Sequence, residues 1–102
     1  MNVEATSLDG LYRIVPEVHV DDRGEFWRSY CRQGLAESGI EFDVCQSNVS
    51  VNRHQHTLRG FHYQRRPSTE QKILTVMVGA LHAVIVDIRP DSPTFLAHEA
   101  FS

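Results

Sequence analysis

Three strand-length apolar runs, LRGFHYQ (58–64), KILTVMV (72–78) and ALHAVIVDIR (80–89), constrain the fold more than any other feature of the chain. Each is rich in β-branched or aromatic residues and is bounded by turn-forming residues. Gly79 separates the last two and predicts a tight hairpin. The stretch RRPSTEQ between the first two carries proline, serine and threonine and predicts a loop. Upstream, LYRIVPEVHV (11–20) alternates like a strand, with Pro16 favouring an edge or a bend. DDRG (21–24) reads as a turn, EFWRSYC (25–31) as extended chain, VCQSNVSVN (44–52) as a further strand and RHQH (53–56) as a polar turn. Only RQGLAESG (32–39) suits a short helical turn, ended by Gly39. SPTF (92–95) turns the chain into a last strand-like piece. Many short strands at regular spacing predict an all-β sandwich or barrel.

Six or seven short strands do not close a double-sheet roll, and open edges invite association. The sequence therefore implies either a partner chain over those edges or a longer protein of which this is the front part. At 102 residues the chain is one domain at most, able to bury roughly 65% of its unfolded surface. Hydrophobic content of 41% with 23% charged residues excludes a disordered chain. A net charge of -3 argues against a nucleic-acid partner, which needs clustered positive charge, while small arginine groups suit one phosphorylated ligand. No run approaches the ~20 apolar residues of a membrane span, and MNVEATSLDG has no signal-like apolar region. The expectation is a cytoplasmic protein with no membrane partner. Cys31 and Cys45 lack metal-ligand spacing and are expected as free thiols.

The chemistry-bearing residues cluster in TLRGFHYQ and just after it. On a regular strand Arg59 and His62 point to opposite faces. Gly60 between them suggests a bulge, which resets the alternation and aims both at one cavity; the plainer alternative is a solvent-facing arginine and a hydrogen-bonded structural histidine. Lys72, the single lysine among ten basic residues, heads a face shared with Leu74, Val76 and Val78. It either snorkels to a rim or holds a cation where negative charge develops. His82 alternates with Val84, Val86 and Ile88 and is expected as a satisfied core histidine. A metal is argued against: a metal-binding cupin carries a second histidine where Gln64 stands, although Glu70 and Gly79 are roughly placed, and His54 and His56 fall in a polar turn.

Taken in order, DDRGEFWRS, CQSNVS, TLRGFHYQ, EQKILTVMVGA and VIVDIRPDSPTF resemble the dTDP-4-dehydrorhamnose 3,5-epimerase family, the RmlC-like cupins. The resemblance runs from about Leu11 to Ser102. It implies an all-β, cupin-type jelly roll (a double-stranded β-helix), incomplete in this chain, with residues 1–102 as the N-terminal part of a single cupin domain. It also implies a site without metal or cofactor, a homodimer that exchanges strands, and a dTDP-linked 4-keto-6-deoxy sugar as substrate. The implied reaction is epimerisation of dTDP-4-dehydro-6-deoxy-D-glucose at C3 and C5 to dTDP-4-dehydro-L-rhamnose. By the resemblance His62 is the general base and Lys72 the cation that steadies the enolate. Arg59 binds substrate near the base, Arg23 binds diphosphate across the dimer, Gln46 and Asn48 line the nucleotide and sugar pocket, and Phe26 lies near the thymine.

The residue types suit that chemistry on their own account. Proton removal beside a ketone needs a base near neutral pKa, and histidine starts at about 6.5. The developing oxyanion needs a nearby positive charge, and a diphosphate needs arginine. Two departures stand out. Arg28 replaces a glutamate that contacts the nucleotide in many members, and neither Tyr12, Tyr30 nor Tyr63 matches the family's proton donor. The family's second histidine and the aspartate that orients its base also lie beyond the matched part. Weak or no activity is therefore expected of the short chain, and the alternative reading is a non-catalytic module for sugar-nucleotide binding or assembly.

Overall fold

Where the backbone finds a partner it forms strands, and where it finds none it does not. In the computed structural model, which describes residues 1–102, the elements are β1 (Asn2–Ala5), β2 (Tyr12–Val15), β3 (His19–Asp21), β4 (Gly24–Phe26), α1 (Arg32–Glu37), β5 (Ala83–Val86) and β6 (His98–Phe101). They make three separate two-stranded antiparallel sheets, β1–β2, β3–β4 and β5–β6. Asn2 pairs with Val15, His19 with Phe26, and Ala83 with Phe101 at the ends of the three ladders. The chain is all-β with one short helix, its small sheets consistent with an incomplete cupin-like fold.

Local chemistry explains the elements that form. Pro16 cannot donate to a ladder, and the run 11–20 breaks there into β2 and β3. The turn between β3 and β4 is the expected DDRG: the Asp21 carboxylate accepts from the Arg23 backbone N–H at 2.8 Å. Cys31 caps α1, its Sγ accepting from Gly34 N–H at 3.3 Å. Gly39, at φ +79°, ends the helix by donating to Ala36, while Ile40 donates to Leu35, each at 2.9 Å. Those two bonds make a Schellman motif, which needs the left-handed residue that glycine supplies.

The central part of the chain departs from the sequence reading. The predicted strands 44–52, 58–64 and 72–78 carry no ladder, and the flanks of Gly79 do not form a hairpin; β5 pairs with β6 instead. The residues have strand propensity, but strand backbone needs a neighbour to satisfy its N–H and C=O groups. Val49, Val51, Leu58, Phe61, Leu74 and Val78 consequently stand 72% to 94% exposed. Only Leu8, Leu35 and Asp87 are buried. The accessible surface of 9369 Å² exceeds the roughly 5,800 Å² of a compact protein of this mass, and the radius of gyration of 15.5 Å exceeds the expected ~13 Å. The apolar faces of these segments are thus left uncovered by the chain itself.

Candidate functional site

The most tightly built polar group lies in the connection between β5 and β6. Asp87 is 6% exposed, and one carboxylate oxygen accepts from the Arg89 backbone N–H and Nε, both at 3.0 Å. The other accepts from an Arg89 terminal nitrogen at 2.9 Å, Ser92 Oγ at 2.5 Å and Thr94 Oγ1 at 2.7 Å. The Arg89 guanidinium, then Ser92 and Thr94, hold the Asp87 carboxyl far below the usual carboxylate range. The same arginine donates to the Asp9 carbonyl, and Asp9 N–H donates to Thr94 Oγ1 at 3.0 Å. Glu99 on β6 accepts from Ser7 N–H and Oγ, and the Ser7 hydroxyl lowers its pKa. The stretch DIRPDSPTF is therefore a lock that seats the N-terminal turn on the last hairpin. Both oxygens of the Asp87 carboxylate are engaged within the chain, which makes it an architectural group.

A second group sits on the β3–β4 hairpin and brings together two of the expected ligand contacts. Arg23 forks onto Asp21, with Nε at 3.1 Å and a terminal nitrogen at 2.6 Å from the same carboxylate oxygen. That pairing lowers the Asp21 pKa and raises that of Arg23. Phe26 lies at the far end of the hairpin, largely exposed, beside an open concavity of about 430 Å³. His19, Arg28, Cys31 and Gln33 share that lining. The exposed Phe26 ring offers a flat apolar surface beside the concavity, while the Arg23 fork at the tip is engaged by Asp21.

The third group holds the proposed reacting residues, in the unpaired middle of the chain. His62 is exposed, and Gly60 has φ +108° but lies on no ladder, so the expected bulge is absent: a bulge requires a paired strand. Arg59 is exposed and bonded locally, its Nε donating to Asn52 Oδ1 at 2.8 Å. Lys72 Nζ lies 2.6 Å from Glu70 Oε1. Gln46 and Asn48 are exposed on the same unpaired stretch. His82 is exposed rather than buried and its Nδ1 is 2.8 Å from Ser102 Oγ. The loop 65–69 separates the His62 and Lys72 segments, and Gln64 Nε2 donates across it to Glu70 Oε2 at 3.2 Å. No three His, Cys, Asp or Glu side chains gather into a metal-ligand set.

Sequence reasoning missed the Gln64–Glu70–Lys72 bridge and the Asp87 lock. The alternate spacing of Asp87 and Arg89 was the available signal for the lock, since it puts both on one side of extended chain. Nothing local announces the bridge, because it spans a loop.

Three small antiparallel hairpins and one short helix define the class as an all-β protein, consistent with a cupin-like fold. The profile of the family described as dTDP-4-dehydrorhamnose 3,5-epimerase matches residues 5–102. The chain belongs to that family. It is 38% identical over 96 residues to the dTDP-4-dehydrorhamnose 3,5-epimerase of Mycolicibacterium smegmatis, covering 93% of this chain and 47% of that protein. It is 36% identical over 96 residues to the enzyme of the same name from Salmonella typhimurium, covering 93% and 52%. A dTDP-4-dehydrorhamnose 3-epimerase from Streptomyces niveus is 33% identical over 96 residues, covering 93% and 46%. The chain spans about half the length of the curated relatives it matches. No solved structure matches it.

Proposed function

We propose that this chain supplies the base-and-cation part of a dTDP-sugar epimerase site, within the N-terminal part of one cupin domain. His62 removes the proton beside the C4 ketone of dTDP-4-dehydro-6-deoxy-D-glucose, at C3 and C5, and Lys72 stabilises the enolate oxygen. Arg59 orients the sugar, Gln46 and Asn48 line the pocket, Arg23 takes the diphosphate and Phe26 meets the base. The observation that carries this reading is the family match over residues 5–102, which takes in both groups that enolisation requires. The chemistry supports it: a proton beside a ketone is removable by an imidazole once a fixed cation stabilises the oxyanion. No helix is long and apolar enough to cross a membrane, in keeping with a cytoplasmic biosynthetic role. The uncovered apolar segments support a homodimer, because a second copy would bury them.

The test is solvent-deuterium uptake, followed by the loss of sugar proton signals in heavy water. The reading predicts exchange at C3 and C5 of the 4-keto sugar and none with dTDP-glucose, which lacks the ketone. Equal exchange with both sugars, or binding of the 4-keto sugar without exchange, would overturn it; the latter result would establish the non-catalytic binding module instead.

A further inference from the structure

One carboxylate ties the segment of the base to the cation. Glu70 contacts Lys72 Nζ through Oε1 at 2.6 Å and accepts from Gln64 Nε2 through Oε2 at 3.2 Å. Glu70 and Lys72 are two residues apart, and so are His62 and Gln64. The Gln64–Glu70 bond therefore links the neighbourhood of His62 to that of Lys72 across the loop 65–69.

The geometry points to Glu70, held by Gln64, as a positioning residue that keeps the Lys72 ammonium beside the segment that carries His62. This rests on reading His62 and Lys72 as base and cation. Glu70 is the more covered partner, its side chain 38% exposed against 63% for Lys72. The carboxylate is thus the anchored member, and the flexible lysine stem is the member it restrains. Exposed ion pairs add little to stability, so the consequence of this one lies in placement. Lys72 keeps two further N–H donors, enough to meet an enolate oxygen while still paired.

The experiment is a double-mutant cycle on solvent-deuterium uptake by the full chain, with the 4-keto sugar at subsaturating and saturating concentration. The variants are Glu70→Gln, Gln64→Ala, Lys72→Met and the double variant Glu70→Gln/Lys72→Met, each checked by circular dichroism. Glu70→Gln and Gln64→Ala should each lower kcat by about tenfold or more with KM near that of the wild type, since a misplacement of ~1 Å costs up to about 100-fold. In the Lys72→Met background Glu70→Gln should cost nothing further. A loss of equal size in both backgrounds overturns the inference. So does a Glu70→Gln rate at or above wild type, the outcome if the carboxylate merely neutralises the lysine. Wild-type exchange by Lys72→Met alone would instead overturn the assignment of the cation itself, and with it any role of Glu70 through Lys72; that arm is read without a Glu70 variant.

Discussion

Replacing Leu35 by alanine should unfasten α1 while leaving the β5–β6 lock intact. Leu35 is 2% exposed and is the largest fully buried side chain. The six residues of α1 fall well short of the ~12–15 a helix needs to persist alone, so its packing and caps must hold it. Buried Leu→Ala changes cost about 2–5 kcal/mol, and the open surroundings here, which let water and neighbours fill the gap, favour the lower part, about 2–3 kcal/mol. At 1.4 kcal/mol per tenfold, that corresponds to a drop of about 30- to 150-fold in the protection of amides closed by the helix. Those amides are Ser38, Gly39 and Ile40, which donate to Leu35 and Ala36. The reference amides are Asp87 and Leu96, which bond Ala97 and Asp87 in the other region. Each strand packs mainly on its own hairpin partner, so the two regions should respond independently. Amide hydrogen exchange by NMR reads both in one experiment. Equal loss in both regions, or no loss at Ser38 to Ile40, would refute the reasoning.

Three further outcomes follow from the geometry. Asp87, Asp21 and Glu99 have folded-state pKa values below their ordinary ones, so their stabilisation is present above about pH 4 and fades as pH falls through the folded values. Acid titration followed at the Ser92 and Thr94 resonances should show the lock opening, with Asp87→Asn displaying weakened structure at neutral pH and a flattened acid dependence. Arg23→Ala should weaken dTDP binding about tenfold to 100-fold by calorimetry, since a charged hydrogen bond contributes about 1.5–3 kcal/mol, whereas Arg13→Ala, on β2, should not. Lys72→Met should slow exchange by about 100-fold or more, the usual loss when an oxyanion-stabilising group is removed.

How much of this was legible in sequence depends on whether the determining contact is local. Gly39 announces its Schellman cap, DDRG its turn and Pro16 its break, because each acts within a few residues. β1 went unread, since Asn2–Ala5 has little apolar alternation and is a strand only because β2 pairs with it. The runs 44–52, 58–64 and 72–78 have the right residues for strands, yet pairing decides whether a ladder forms, and this chain offers them no neighbour. His82 was expected inside by its alternation with Val84 and Val86; it lies outside because the face it shares has nothing packed over it. The residue types of the candidate site were readable from TLRGFHYQ and Lys72. The contact between their segments was not, because Gln64 and Glu70 bond across a loop.

The central claim is that His62 takes the proton. Solvent-deuterium uptake at C3 and C5 of dTDP-4-dehydro-6-deoxy-glucose, measured by mass spectrometry on wild type and His62→Ala side by side, tests it directly. The account predicts uptake by the wild type at a rate about 100-fold or more above that of His62→Ala, the range of general-base contributions. Equal rates in the two proteins would contradict it.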